Sequence, residues 1–138
     1  MDVKLAFLNG YLEEEVYIEQ PMGYVMEGQE DKVLKLKKAL YGLKQAPRAW
    51  NSQIDKYFYE HSFTRCMNEY ALYVKKQGDD FLFVCIYMDD LIYTRNNPSM
   101  FGEFKKAMTQ KFEVMDIGLM SYYLDIEVHQ LEDGIFIS

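Results

Sequence analysis

The stretch I-Y-M-D-D-L-I-Y, Ile86 to Tyr93, sets two adjacent carboxylates, Asp89 and Asp90, inside one of the most apolar parts of the chain. Its flanks, Phe81 to Tyr87 and Leu91 to Thr94, have strand composition, so the aspartates are expected at the turn of a hairpin. Aspartate is a common turn residue, and a plain turn is the simplest reading. A tight hairpin turn favours Asn-Gly or Asp-Gly, however, and Met88-Asp89-Asp90 has no glycine. Two like charges side by side repel, and burial adds to the cost. A hard cation relieves both penalties. Mg²⁺ takes oxygen ligands and is typically held by one or two carboxylates plus substrate phosphates. A third acid, Asp2, opens another apolar run, M-D-V-K-L-A-F-L. If that run lies beside the hairpin, Asp2 reaches the same ions. Spacing alone leaves the strand order open.

Working outward, Met1 to Leu8 reads as a strand and Asn9-Gly10 as a turn. Val16-Tyr17-Ile18 is short and β-like, Pro21 and Gly23 mark a loop, and Lys32 to Leu40 alternates loosely as a strand. Pro47 suits the first turn of a helix, where its missing N–H costs nothing. Trp50, Ile54, Tyr57 and Phe58 then recur at helical spacing, which predicts an amphipathic helix from Pro47 to His61. Tyr70 to Lys75 pairs with Phe81 to Tyr87 across Gln77-Gly78-Asp79. Ser99 is the expected N-cap of a second helix carrying Phe101, Phe104, Met108 and Phe112. Tyr122 to His129 and Ile135 to Ile137 read as strands around Asp133-Gly134. Both ends of the chain fall within strand-like sequence. The expected fold class is α+β, an antiparallel sheet with two helices packed on one face as a two-layer sandwich.

The 138 residues match one domain, and 49% hydrophobic residues with twelve Tyr and nine Phe supply a core. Cys66 and Cys85 are far apart and show no paired spacing, which argues against a disulfide framework or zinc site and for a reducing compartment. His61 and His129 are isolated and carry no assigned role. The sequence shows no signal peptide and no apolar run near the ~20 residues of a membrane span, so no membrane partner is expected. A net charge of −7 argues by itself against nucleic acid, whose phosphates need Lys and Arg. The distribution is more informative. Charges from Glu13 to Asp31 are all acidic, and those from Lys32 to Arg48 are all basic. Such blocks are either two solvated faces or one electropositive strip on an acidic domain.

Y-M-D-D, Tyr87 to Asp90, resembles the catalytic signature of reverse transcriptases. D-V-K-L-A-F-L-N-G-Y-L-E-E-E-V-Y-I-E-Q-P-M-G, from Asp2, resembles the Ty1/copia type of retrotransposon polymerase. So does L-K-K-A-L-Y-G-L-K-Q-A-P-R-A-W, Leu36 to Trp50, and the likeness continues through D-D-L-I-Y-T, F-E-V-M-D-I-G and Y-L-D-I-E-V. A lone Y-x-D-D is weak, but three ordered blocks over the whole chain are strong. The resemblance implies a single partial domain over residues 1–138, a polymerase palm, with fingers, thumb and RNase H absent. It implies RNA-directed DNA synthesis by two-metal nucleotidyl transfer, using Mg²⁺ with Mn²⁺ as a substitute. The implied partners are dNTP, an RNA or DNA template with primer, and the remaining domains of a Pol polyprotein. The implied location is intracellular and cytoplasmic, in a virus-like particle.

Carried over by motif, Asp2, Asp89 and Asp90 are the catalytic acids and metal ligands, with the Val3 carbonyl as a further ligand. Phe7 stands where these polymerases place an aromatic beneath the incoming sugar; an ordinary core Phe is the competing reading. Tyr41, Gly42 and Lys44 are implied nucleotide contacts. Lys35, Lys37, Lys38 and Arg48 would follow template-primer phosphates, and Tyr87 and Met88 would touch the primer end. Two positions depart from the pattern: Asp125 replaces the usual glycine of L-G-I-E, and Leu5 replaces a common Thr. No lysine or arginine occurs between Phe112 and Ser138 to serve as the expected general acid for pyrophosphate. The second reading is a non-catalytic, degenerate retroelement remnant with at most weak nucleic-acid binding. An unrelated interaction module would require all three blocks to be coincidence.

Overall fold

Strong alternation from Phe81 to Arg95 builds the largest element of the structure, a central hairpin. The computed structural model describes residues 1–138. In chain order the elements are β1 (Asp2–Val3), a 3₁₀ turn (Ala6–Asn9), β2 (Tyr17–Ile18), β3 (Leu34–Lys35) and α1 (Ala46–Glu60). They continue with β4 (Thr64–Arg65), β5 (Leu72–Gln77), β6 (Asp80–Tyr87), β7 (Asp90–Arg95) and α2 (Pro98–Lys111). The last are β8 (Val114–Met115), β9 (Tyr122–Tyr123), β10 (Ile126–Leu131) and β11 (Gly134–Ile137). The chain is α+β, as expected, but its strands form three antiparallel sheets rather than one. No helix is long and apolar enough to cross a membrane.

Two structural units divide the chain, Met1–Lys4 with Phe63–Ser138, and Leu5–Ser62. In the first, six strands run in the order β4-β5-β6-β7-β1-β8. Leu82, Val84, Ile86 and Leu91 are buried, and Ile86 pairs with Leu91 as Val84 pairs with Tyr93. Period-two geometry therefore gathers them on one face. α2 packs on β6 and β7, with Phe101 stacked on Tyr93 at 3.9 Å between ring centres. The opposite face carries Phe83, Cys85 and Tyr87 from β6 and Asp90, Ile92 and Thr94 from β7, all partly or fully exposed.

The N-cap of α2 is Asn97 rather than Ser99. Its Oδ1 accepts the Ser99 N–H at 2.9 Å. Pro98 explains the shift, because the residue before proline is pushed to the extended conformation that an N-cap adopts.

Two expected strands are interrupted. The run from Met1 to Leu8 stops at Val3, Leu5 turns left-handed (φ 52°), and Ala6–Asn9 coils into the 3₁₀ turn. Tyr122 to His129 is likewise two strands around Leu124-Asp125, which have φ of 48° and 65°. Positive φ at both central residues is the mark of a type I′ hairpin turn, and Asp is among the residues that tolerate it. The glycine replaced by Asp125 is thus a turn position that aspartate can fill. The second hairpin pairs Leu131 with Gly134, so its turn is Glu132-Asp133, one residue earlier than expected.

In the second unit, residues 10–18 run antiparallel to residues 34–39. β2 pairs with β3, Tyr11 bridges Lys38, and Ala39 N–H donates to the Gly10 carbonyl at 2.8 Å. The strand expected from Lys32 to Leu40 is regular only at Leu34–Lys35. α1 follows the expected stripe, with Trp50, Ile54, Tyr57 and Phe58 buried. Ala39, Ala46 and Ala49 form a small-residue cluster on which Phe7, Leu12 and Leu43 pack. Gly10 is required by close approach, since a Cβ there would lie 2.6 Å from the Trp50 backbone nitrogen.

Gly10→Ala is expected to lower stability by about 1–3 kcal/mol through that backbone clash. Leu124→Asn combined with Asp125→Gly, the preferred I′ pair, is expected to raise it by about 1 kcal/mol. Urea denaturation checks both, and a neutral Gly10→Ala would contradict the close packing.

Candidate active site

The turn between β6 and β7 is two residues long, Met88 and Asp89, closed by the pair Tyr87 and Asp90. Met88 supplies the positive φ, 55°, that such a turn needs at its first position. A non-glycine residue there is strained by roughly 1–3 kcal/mol. β1 is bonded alongside this turn. Val3 N–H donates to the Asp89 carbonyl at 2.9 Å, and Leu91 N–H to the Met1 carbonyl at 2.7 Å. The Val3 side chain is fully buried and anchors the strand. The strand order that the sequence left open is therefore fixed, with Asp2 directly opposite Asp90. Opposed residues of an antiparallel pair project to the same face, with Cβ atoms about 4.5–5.5 Å apart. Here that is the face away from the buried row.

The charges feel one another. The Asp90 carboxyl is pushed up from its ordinary value, first by partial desolvation and then by the negative charges of Asp89 and Asp2, while the Met1 ammonium opposes the shift. The nearby Asp116 is already paired to Lys105 at 2.6 Å. No three His, Cys, Asp or Glu side chains converge as a ready-made metal cage. What the backbone provides is an all-oxygen donor set on adjoining positions, crowded with negative charge. That set fits a hard divalent cation whose remaining ligands come from phosphate and water.

The other residues singled out from the sequence lie in several places. Tyr87 and Met88 are exposed beside the acids, and the Tyr87 ring meets Tyr123 edge-on at 6.0 Å. Tyr123 belongs to the run from Tyr122 that reads as one continuous strand, which the turn at Leu124-Asp125 divides. In the second unit, Phe7 packs on the alanine cluster and touches Tyr41 edge-on at 5.3 Å. Two candidate nucleotide contacts thus support each other. Gly42 has φ of 87° with open space around it, so backbone conformation is what calls for glycine there. Lys44 and Lys37 are exposed.

The basic strip is not the uncovered one that charge blocks suggested. Lys35 pairs with Glu15 and stands over the Tyr17 ring. Arg48 lies 3.7 Å from Glu14, and Lys38 stands over the Tyr11 ring. The β2–β3 pairing brings Glu15 to Lys35 and the start of α1 brings Arg48 to Glu14, relations that only the fold reveals.

The Asp90 shift has a definite sign. In the metal-free chain its folded pKa lies above the unfolded value, so its stabilising share is complete below the unfolded pKa and is lost as pH rises through the folded pKa. Asp90→Asn is therefore expected to be more stable than wild type at neutral pH, with the gain vanishing in acid. Asp89→Asn is expected to lower the Asp90 midpoint in a carboxyl-carbon NMR titration. An unmoved midpoint would contradict the coupling.

The family profile for reverse transcriptase (RNA-dependent DNA polymerase) matches residues 1–138. The chain is 36% identical over 138 residues to the retrovirus-related Pol polyprotein from transposon RE1 of Arabidopsis thaliana, covering 100% of this chain and 9% of that protein. It is 34% identical over 134 residues to the Ty5-1 transposon protein of Saccharomyces cerevisiae, covering 97% of this chain and 44% of that protein. To the retrovirus-related Pol polyprotein from transposon TNT 1-94 of Nicotiana tabacum it is 33% identical over 129 residues, 93% of this chain and 10% of that protein. No solved structure matches it. This chain therefore spans under half the length of each of these relatives. The pairing of Asp2 with the Y-M-D-D hairpin and the match along the whole sequence lead to one assignment: the chain belongs to the reverse transcriptase family, and its relatives are Pol polyproteins of the Ty1/copia type.

Proposed function

We propose that this chain carries the nucleotidyl-transfer centre of an RNA-directed DNA polymerase of a Ty1/copia-type element. The observation that supports it best is the register of β1, which sets Asp2 opposite Asp90 and bonds Val3 to Asp89. Asp2, Asp89, Asp90 and the Val3 carbonyl would hold Mg²⁺, or Mn²⁺ in its place. Bound there, the ions would lower the pKa of the primer 3′-hydroxyl and neutralise charge on the departing pyrophosphate. The 3′-hydroxyl would give its proton to water, its oxygen would bond to the α-phosphorus of a dNTP, and the bond from that phosphorus to the α–β bridging oxygen would break to release pyrophosphate. Tyr87 and Met88 would orient the primer end. Phe7, supported by Tyr41, would exclude a 2′-hydroxyl, and Gly42 and Lys44 would meet the nucleotide or template. Lys35, Lys37, Lys38 and Arg48 would meet template-primer phosphates. In this reading the chain works within a longer Pol polyprotein, in a cytoplasmic virus-like particle.

Primer extension on primed RNA with dNTP and Mg²⁺ tests the reading. Extension by a Pol polyprotein carrying this chain, abolished by Asp89→Asn, is expected, and Phe7→Ala should admit ribonucleotides more readily. Extension that survives Asp89→Asn would overturn the assignment.

The ion pairs of Glu14 and Glu15 generate a further expectation. Each template phosphate must compete with a carboxylate already on Arg48 or Lys35. Glu14→Gln with Glu15→Gln should strengthen template-primer binding and steepen its salt dependence, by up to about 0.9 in log–log slope for each cation released. An unchanged slope would remove Lys35 and Arg48 from the phosphate contacts.

A further inference from the structure

Between β2 and β3 the chain forms a loop that is held firmly yet turns apolar side chains to solvent. Gln20 is its clamp. Its Nε2 donates to the carbonyls of Gln29 (2.7 Å) and Lys32 (2.9 Å), and its Oε1 accepts the Met26 N–H (3.0 Å). Turn bonds from Tyr24 to Pro21, Gln29 to Met26 and Lys32 to Gln29 complete the frame. On this frame Met22 is 97% and Tyr24 80% exposed, with Val25 and Met26 beside them also exposed. Four large apolar side chains exposed within five residues of a hydrogen-bonded loop are the kind of surface on which partners dock. The same loop carries Glu19, Glu27, Glu30 and Asp31, all exposed, and no cation occurs between Glu13 and Asp31.

The charge narrows the occupant. Four exposed carboxylates on one short loop repel phosphates, which disfavours nucleic acid. A second copy docked through the same surface across a two-fold axis would set acid against acid. We propose that the loop from Glu19 to Asp31 is a docking surface for a basic protein segment with an apolar face. Met22 and Met26 are adaptable apolar contacts, Tyr24 is a large anchor of the type that dominates interfaces, and the carboxylates of the loop pair with Lys or Arg of the partner. The inference stands on the loop alone and does not depend on the polymerase reading.

The test is fluorescence anisotropy with a labelled amphipathic Leu/Lys helical peptide, against a scrambled peptide of the same composition. The wild-type chain should bind the amphipathic peptide more tightly than the scrambled one. Met22→Ser with Tyr24→Ser, and separately Glu27→Gln with Glu30→Gln, should each weaken binding about tenfold. These side chains are exposed, so the fold should survive, as circular dichroism would show. Equal binding of both peptides, or unchanged binding by the Met22 and Tyr24 variant, would reduce the effect to bulk charge and overturn the proposal. So would an RNA oligonucleotide, or self-association of the chain, that is lost in that same variant.

Discussion

The backbone bonds from Val3 to Asp89 and from Leu91 to Met1 seat a two-residue strand against a two-residue turn. That contact works against charge repulsion, because it brings Asp2 beside a pair of aspartates that already repel each other. The stabilising side is supplied nearby. Val3 and Leu91 are buried, as are Leu82, Val84 and Ile86 of the same hairpin, and full burial of such a side chain contributes roughly 1.5–3 kcal/mol. The apolar face thus holds in place a polar face that would not assemble by itself. The residual cost is visible at Asp90, whose carboxyl resists ionisation. Asp2 and Asp90 stand on β1 and β7, and Asp89 sits in the tight turn just before β7.

The second unit handles charge in the opposite way. Glu15 pairs with Lys35 across the β2–β3 hairpin and Glu14 pairs with Arg48 of α1, so the acids next to β2 are offset by cations of the basic run. Exposed pairs of this kind contribute little to stability, typically under about 1 kcal/mol. Their consequence is for binding, because cations that look free in the sequence are already engaged. The chain as a whole stays acidic, at −7.

Much of this was legible in the sequence, for physical reasons that differ by element. α1 is legible because Trp50, Ile54, Tyr57 and Phe58 give a clear helical period and Pro47 marks its first turn. The β6–β7 hairpin is legible because strand-like sequence runs on both sides of the aspartates. The interrupted strands were not legible. Leu5, Met88, Leu124 and Asp125 all take positive φ without being glycine, and no composition signal marks Leu or Met for that conformation. The placement of Asp2 needed strand order, which spacing cannot supply. Asp125 shows how a departure from a family pattern is explained by local geometry, since a type I′ turn tolerates aspartate where glycine is usual.

The most direct measurement is Mn²⁺ titration of this chain followed by paramagnetic broadening of its amide NMR signals, wild type against Asp89→Asn with Asp90→Asn. If the three acids form a cation site, signals from Asp2, Val3 and Asp89 to Leu91 broaden first in the wild type and not in the double variant. Equal broadening in both proteins, or none in either, would contradict the claim that β1 and the hairpin turn together build a metal-binding centre.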